Sequence, residues 1–232
     1  MFDQISFGGS MAWERSPAPG VQRKRLFHSG GAESGTVTSL VQYAAGSRFP
    51  DHGHPGGEEM LVLAGTLSDE RGDFSPGTYL LNPEGFRHTP YSREGCTVFV
   101  KLRQYEGSRR ERIYLDTTKS EWKSAALWTP PTSGSLRAQT LYRSLRYPER
   151  TQLLELSPGT RFAPLGLPQG EELFVISGQL EDEHGVYPEH TWLTLPPGNQ
   201  HSPSSANGAV LYVRQGGFAM DRPLAAAAAS RH

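Results

Sequence analysis

The sequence has very little cysteine, since Cys96 is the only one among its 232 residues. A lone thiol cannot form an intramolecular disulfide, which excludes a disulfide-stabilised fold and favours a reducing compartment. No run approaches the roughly 18 apolar residues that a membrane helix needs. Residues 1–15 also lack the basic and then apolar pattern of a signal peptide. We therefore expect a cytoplasmic protein without a membrane partner.

The sequence also lacks an excess of charge of either sign. Its formal net charge is −1 and its pI is about 6.7, which argues against a nucleic-acid partner. Glycine (26) and proline (18) are frequent, as in chains of many short strands joined by turns. No long amphipathic helix is evident, and we expect only a short helical piece around residues 120–127. Strand-like runs such as 36–43 and 97–102 predict an all-β fold.

Potential metal ligands concentrate in two segments, 46–65 and 77–88. Residues i and i+2 of a strand share a face, so His52 and His54 lie side by side. The Pro-Gly-Gly that follows predicts a turn, which lets Glu58 face the two histidines from the next strand. His88 begins a later run and can close the site. We predict that these four side chains bind one divalent metal ion.

The donor set limits the choice of metal. Three imidazoles and a carboxylate suit zinc, iron, nickel or copper, and suit manganese less well. Four protein ligands on an octahedral ion also leave positions for water or substrate.

These segments resemble the two motifs of the cupin superfamily, G-x5-H-x-H-x3-E-x6-G and G-x5-P-x-G-x2-H-x3-N. Every spacing is met, and the one departure is Ser92 in place of the final asparagine, which is not usually a ligand. The resemblance implies a jelly-roll barrel, also called a double-stranded β-helix, with one metal at its centre.

The sequence repeats itself at an offset of 113 residues, which places Gly46 on Gly159 and His88 on His201. We therefore predict two tandem cupin barrels, a bicupin, with domains at residues 1–115 and 116–232. The repeat is unequal, because Leu165 and Leu167 stand where the first half has His52 and His54. The second half keeps Glu171 and His201, and we expect it to be a degenerate copy without metal. His190 is the one candidate for a replacement ligand, although a turn position suits it better.

Within the superfamily, residues 36–104 resemble the cupin domain of the ChrR-type anti-sigma factors. The resemblance implies a metal held by His52, His54, Glu58 and His88, and a role in the response to singlet oxygen and peroxides. Such factors grip the sigma factor with a helical N-terminal domain that carries its own His/Cys zinc site. The present sequence does not contain that part, so we do not expect sigma-factor binding.

Two classes of function follow from the resemblance. One is a non-catalytic module that senses or binds a small molecule or an oxidant. The other is a non-heme dioxygenase acting on a small diketone or a hydroxyacetophenone-like substrate. The resemblance to ChrR favours zinc and the resemblance to the dioxygenases favours iron, with nickel or manganese also compatible. Because many cupins are dimers, it also implies a homodimer.

The character of the pocket should separate the two classes, since a lined and closed pocket favours an organic substrate and a shallow, wet one favours sensing. We predict that the pocket lining includes apolar residues at five positions, namely Phe49, Met60, Tyr79, Phe86 and Phe99. Glu59 and Glu172 follow the ligand position of each half, so alternation turns them to the opposite face, where we expect them to be solvated.

Overall fold

The computed structural model describes residues 4–31, 33–107, 109–124 and 126–217. Every regular element in that part of the chain is a β-strand, as predicted. The helical piece expected around residues 120–127 is not formed by the described residues there. Lys123 instead exchanges backbone hydrogen bonds of 2.7 and 2.8 Å with Ala138, which holds the segment extended against a strand of the second half. The described residues also contain no helix with the length and apolarity that crossing a bilayer requires.

The strands are short and are separated by turns rich in glycine. The strands of the first half are β1 Gln4–Phe7, β2 Glu14–Arg15, β3 Val21–Ser29, β4 Thr36–Tyr43, β5 His52–Gly53, β6 Glu58–Gly65, β7 Leu67–Asp69, β8 Gly72–Phe74, β9 Thr78–Asn82, β10 Arg87–His88, β11 Cys96–Leu102 and β12 Ile113–Asp116. Those of the second half are β13 Leu136–Arg143, β14 Arg150–Leu156, β15 Thr160–Arg161, β16 Leu165–Leu167, β17 Glu171–Asp182, β18 Gly185–Pro188, β19 Thr191–Leu195, β20 Asn199–His201, β21 Ser204–Ser205 and β22 Ala209–Gln215.

Each half folds into an antiparallel barrel with one large sheet. In the first barrel the order is β12-β9-β6-β11-β4-β3-β2, and the pairs β5–β10 and β7–β8 form its opposite wall. In the second barrel the main path is β1-β19-β17-β22-β14-β13. Because side chains alternate along each strand, one face of each large sheet lines its own barrel and the other meets the second barrel. The predicted tandem jelly-roll architecture is confirmed.

The sheet of the second barrel includes a strand from the start of the chain. β1 pairs with β19 of the second barrel, with Gln4 opposite Thr194 and Phe7 opposite Thr191. At the other side, β12 pairs with β9 of the first barrel as far as Asp116. The N-terminal strand therefore joins the two halves, and the boundary at residues 115 and 116 stays a prediction.

An aromatic layer packs between the barrels. Phe99 of β11 stacks on Phe174 of β17 with ring centroids 4.4 Å apart, and it meets Tyr212 of β22 at 5.1 Å. All three side chains are at most 1% exposed. This layer belongs to the outer faces of both sheets, so it makes the two barrels one packed body.

Glu59 lies in the middle of this layer, which overturns the expectation that it is solvated. It is 1% exposed, and its carboxylate accepts hydrogen bonds from three tyrosine hydroxyls: Tyr79 at 2.6 Å, Tyr212 at 2.7 Å, and Tyr105. Tyr212 comes from the second barrel, so the carboxylate bridges the interface.

Glu172, the repeat partner of Glu59, is also buried rather than solvated, at 2% exposure. Its carboxylate accepts from Lys101 of the first barrel and from the indole of Trp192 at 2.7 Å, and it lies 3.5 Å from Arg214. Burial alone would raise the pKa of Glu172, but Lys101 and Arg214 hold it below its ordinary value. Burial lowers the pKa of Lys101 to about 8, so the pair is ionised at neutral pH. Strand alternation correctly predicts that both glutamates face away from the interior of their own barrel. The outer face of the sheet, however, packs against the other barrel and not against water.

We expect Lys101→Met to destabilise the protein by about 3–5 kcal/mol, because it leaves the carboxylate of Glu172 buried without its closest cation. Lys101→Met with Glu172→Gln should recover part of that loss, since neither charge then remains. Urea unfolding followed by fluorescence measures the free energy of unfolding of the single and the double variant. Lys119→Met removes an exposed pairing with Asp116 and should have no measurable effect. If Lys101→Met lowers the free energy of unfolding by no more than Lys119→Met does, the buried pair does not contribute to stability.

Candidate metal centre

Two short strands and a tight turn bring the four predicted ligands together. His52 in β5 lies directly opposite His88 in β10. After His54 the chain turns through Gly57, whose φ of +71° and close approach to Tyr105 suit only glycine. That turn sets Glu58 at the start of β6, on the face that looks into the barrel. His54, Glu58 and His88 are at most 5% exposed.

The donor atoms converge on one point. Nε2 of His54 and Nε2 of His88 are 3.0 Å apart, and Oε2 of Glu58 is 3.5 Å from each of them. Ligand atoms of His52, His54 and His88 all lie within 4.8 Å of one another. A buried group of this kind could hold a metal ion.

The spacing suits a first-row divalent ion. Metal–nitrogen bonds of about 2.1 Å separate two ligand atoms by about 3.0 Å at right angles and by about 3.4 Å in a tetrahedron. The observed distances of 3.0 and 3.5 Å match both arrangements, so the geometry does not choose between zinc and an octahedral metal.

Three further groups orient the ligands, and the spacing of the two histidine motifs does not single them out. Nδ1 of His52 lies 2.9 Å from the carbonyl oxygen of Pro50, and Nδ1 of His88 lies 3.6 Å from Oδ2 of Asp69. Both contacts direct the Nε2 atom toward the centre. Asn82 donates to Oε2 of Glu58 at 3.0 Å. A signal for Asp69 was present, because the offset of 113 residues places it on Asp182, which contacts His201 in the same way at 3.3 Å.

The electrostatics of the group favour an ionised carboxylate beside imidazoles of different basicity. Burial lowers the pKa of His54, and the neighbouring His88 and His52 add to that shift, which favours the neutral form that binds metal. Burial opposes charge on His88, but Glu58 and Asp69 raise its pKa overall. Burial also opposes charge on Glu58, yet His54 and His88 lower its pKa, so it is ionised at neutral pH.

The second barrel keeps part of this arrangement. Oε1 of Glu171 lies 3.7 Å from Nε2 of His201, and Oε2 of Glu171 accepts from Trp128 at 2.8 Å. Leu165 and Leu167 are at most 3% exposed and place apolar bulk where the first barrel has two imidazoles. His190 does not replace them. It occupies a turn with a φ of +67°, and its ring stacks on Phe174, which faces the other barrel.

An apolar cavity of about 170 Å³ opens beside the histidines of the first barrel. His52, His54 and Glu58 line one side, and Phe49 and Met60 line it as predicted. The other apolar lining comes from inward positions of the large sheet, with Val37, Val41, Tyr43, Val98, Val100 and Leu102 among them.

Three of the predicted pocket residues lie elsewhere. Tyr79 and Phe99 belong to the layer between the barrels, because each stands opposite Leu61 in the sheet and shares its outward face. Phe86 does not line the cavity. Its ring packs 5.5 Å from the ring of His88 and between the guanidinium groups of Arg71 and Arg112. Aromatic character alone did not reveal which face these residues occupy.

Comparison with known proteins identifies the class. The model of the ChrR cupin-like domain matches residues 4–106 and again 110–219, so the chain belongs to that family and carries two copies of its domain.

One curated relative and two solved structures show how far the likeness extends. The anti-sigma-E factor ChrR of Cereibacter sphaeroides is 33% identical over 73 residues, which are 32% of this chain and 33% of that protein. The chain thus matches about a third of the length of this relative. A candidate dioxygenase from Nostoc punctiforme PCC 73102 superposes with a TM-score of 0.73 at 15% identity, covering 91% of this chain and 81% of that one. The pirin YhhW of Escherichia coli, solved with nickel(II), gives a TM-score of 0.67 at 12% identity, covering 91% and 97%. At these identities the two structures establish the fold alone.

We expect His52→Ala to reduce the bound metal well below one equivalent while the barrels stay folded, because His52 is only half-buried. Metal analysis of protein purified without a nickel resin measures the loss, and circular dichroism checks the fold. His184→Ala, on the turn between β17 and β18, is the matched control. Unchanged metal content in the His52 variant would show that the ligand assignment is wrong.

We expect Asp69→Asn to weaken metal affinity by about 10–100-fold, because the variant no longer holds Nδ1 of His88 with a charged acceptor. Competition with a fluorescent chelator measures the affinity. The matched control is Asp73→Asn, an exposed position on the neighbouring strand. Equal affinities for the two variants would exclude an orienting role for Asp69.

Proposed function

We propose that this protein binds one divalent metal ion through His52, His54, Glu58 and His88 and uses it to bind a small organic molecule, as a sensor or binding module. The observation that supports this most directly is the position of the cavity. Its apolar walls adjoin three of the four ligands, so a molecule in the cavity would lie against the ion.

The size and lining of the cavity define the kind of molecule. Sites for drug-sized ligands measure about 300–1,000 Å³, and the cavity here is smaller, at about 170 Å³. Apolar atoms form the larger part of its surface, and valine is the most frequent residue in its lining. A compact and mainly apolar molecule therefore fits best, and burying it there removes its apolar surface from water.

The residues of the site have separate tasks in this proposal. The ion would supply Lewis acidity and a coordination position for a polar atom of the ligand. Glu58 and the imidazoles hold the ion, Asp69 and Asn82 fix their orientation, and the valine-rich wall excludes water. Zinc is the metal we favour for a binding module, since it has no redox chemistry of its own.

A second function, that of a non-heme dioxygenase, is favoured by the same cavity. A metal site beside a mainly apolar cavity is better suited to an organic substrate than a shallow, wet site would be. Iron would be the metal in that case, and small diketones or hydroxyacetophenones would be the substrates. A four-residue ligand set leaves room for an organic substrate and dioxygen on an octahedral ion.

The anti-sigma activity named for the ChrR relative is not part of the proposal, because the match covers a third of that protein. A homodimer and a cytoplasmic location stay predictions.

Metal content and oxygen consumption distinguish the two functions. The protein is expressed without a tag that needs nickel resin, its metals are quantified, and the iron-loaded form is mixed with β-diketones and hydroxyacetophenones in an oxygen electrode. The binding module predicts about one equivalent of tightly held zinc and no oxygen uptake. Near one equivalent of iron and substrate-dependent uptake that is lost in His52→Ala would establish the dioxygenase instead. Protein that takes up no metal would exclude both.

A further inference from the structure

The cavity has a charged side that the proposed function does not use. Arg23, Glu33 and Arg103 are part of its lining, and Arg25 follows two residues after Arg23 on the same strand. Arg23 stands opposite Val41 and Arg25 opposite Ser39, which both line the cavity. Residues that are directly opposite in a sheet share a face, so both arginines of β3 look into the barrel.

A single carboxylate, that of Glu33, accepts hydrogen bonds from two of the guanidinium groups on this side of the cavity. Glu33 receives hydrogen bonds from both terminal nitrogens of Arg23, at 3.0 and 2.5 Å, and from Arg25 at 3.1 Å. Arg103 donates instead to the backbone carbonyl oxygens of Glu33 and Gly35, at 2.8 and 3.0 Å. The Nε atoms of Arg23 and Arg25 are buried and have no partner among the described residues. Positive charge is therefore in excess on this side of the cavity.

Glu33 is far more exposed to water than the arginines it pairs with. Its side chain is 57% exposed, whereas those of Arg23 and Arg25 are 19% and 21% exposed. The hydrogen bonds from Arg23 hold the pKa of Glu33 below its ordinary value, so the group is a charged carboxylate at neutral pH. More than half of the Glu33 side chain already faces water, so its carboxylate would be hydrated on leaving the arginines.

We propose that the ligand of this cavity is a small apolar carboxylic acid whose carboxylate takes the place of Glu33 on Arg23 and Arg25. Its apolar body then lies along the valine-rich wall toward the metal centre. Two guanidinium groups on adjacent inward positions offer a carboxylate paired charge-assisted hydrogen bonds. The inference rests on the proposed function for the cavity as a ligand site and adds the chemical class of that ligand.

Hexanoate and its neutral counterpart hexanol test the class of ligand by calorimetry on the zinc-loaded protein. We expect hexanoate to bind more tightly than hexanol. Arg23→Met should weaken hexanoate by about tenfold, as expected for the loss of one charge-assisted pair, and should leave hexanol unchanged. Glu33→Gln should strengthen hexanoate, because it removes the competing carboxylate. Arg137→Met and Glu155→Gln, which alter an exposed ion pair of the second barrel, are the matched controls.

A carboxylate could also coordinate the metal directly, so the same titrations are repeated on metal-free protein. Weakened binding in Arg23→Met with and without zinc supports the proposal. Hexanoate binding that is unchanged in Arg23→Met and in Glu33→Gln, whether or not it needs zinc, would overturn it. Equal binding of hexanol and hexanoate in all variants would also overturn it, yet would leave the cavity as a ligand site. If neither compound binds, the inference fails, and the metal content of the purified protein then decides the proposed function separately.

Discussion

The consecutive carboxylates Glu58 and Glu59 link the candidate metal centre to the interface between the two barrels. Neighbouring residues of a strand face opposite sides of the sheet, so one carboxylate points into the barrel and the other points out of it. Glu58 thereby joins the histidines, while Glu59 receives the hydroxyl groups of three tyrosines between the barrels. The strand that supplies Glu58 to the candidate metal centre is therefore also a strand that packs against the second barrel. A buried carboxylate without partners would be costly, and the tyrosines supply the partners on the outer side.

The second half shows what a duplicated barrel retains when its central site changes. It keeps the outward network, since Glu172, Trp192 and Arg214 occupy the repeat positions of Glu59, Tyr79 and Lys101. It also keeps the contact between His201 and Asp182. The positions of His52 and His54 are occupied by leucines, and Leu195 stands at the position of Asn82, so that apolar side chains fill this part of the barrel. Both halves therefore contain the outward polar residues of the interface, whereas only the first half contains the inward pair of histidines.

The charged side of the cavity has a different origin from the candidate metal centre. The ligands come from β5, β6 and β10 and from the turn between the first two. The two arginines come from β3, which β11 and β4 separate from β6 in the large sheet. The sheet curves so that both groups border one apolar space. The lining of the cavity therefore divides into two polar groups and a mainly apolar remainder. Such a division is the common design of small-molecule sites, where a few polar groups orient a mainly apolar ligand.

The sequence by itself determined the all-β class, the repeat, and the four residues that converge at the candidate metal centre. All three depend on spacing that can be read along the chain: turns at glycine and proline, two-residue alternation, and a fixed offset between the halves. Tertiary structure alone decided what the outward face of each strand meets. Tyr79, Phe99, Glu59 and Glu172 could face a pocket, water or another barrel, and alternation gives a direction without naming the neighbour. Likewise, Arg23 and Glu33 are ten residues apart in the sequence and far from the histidine motif, and only closure of the barrel places them around the same cavity.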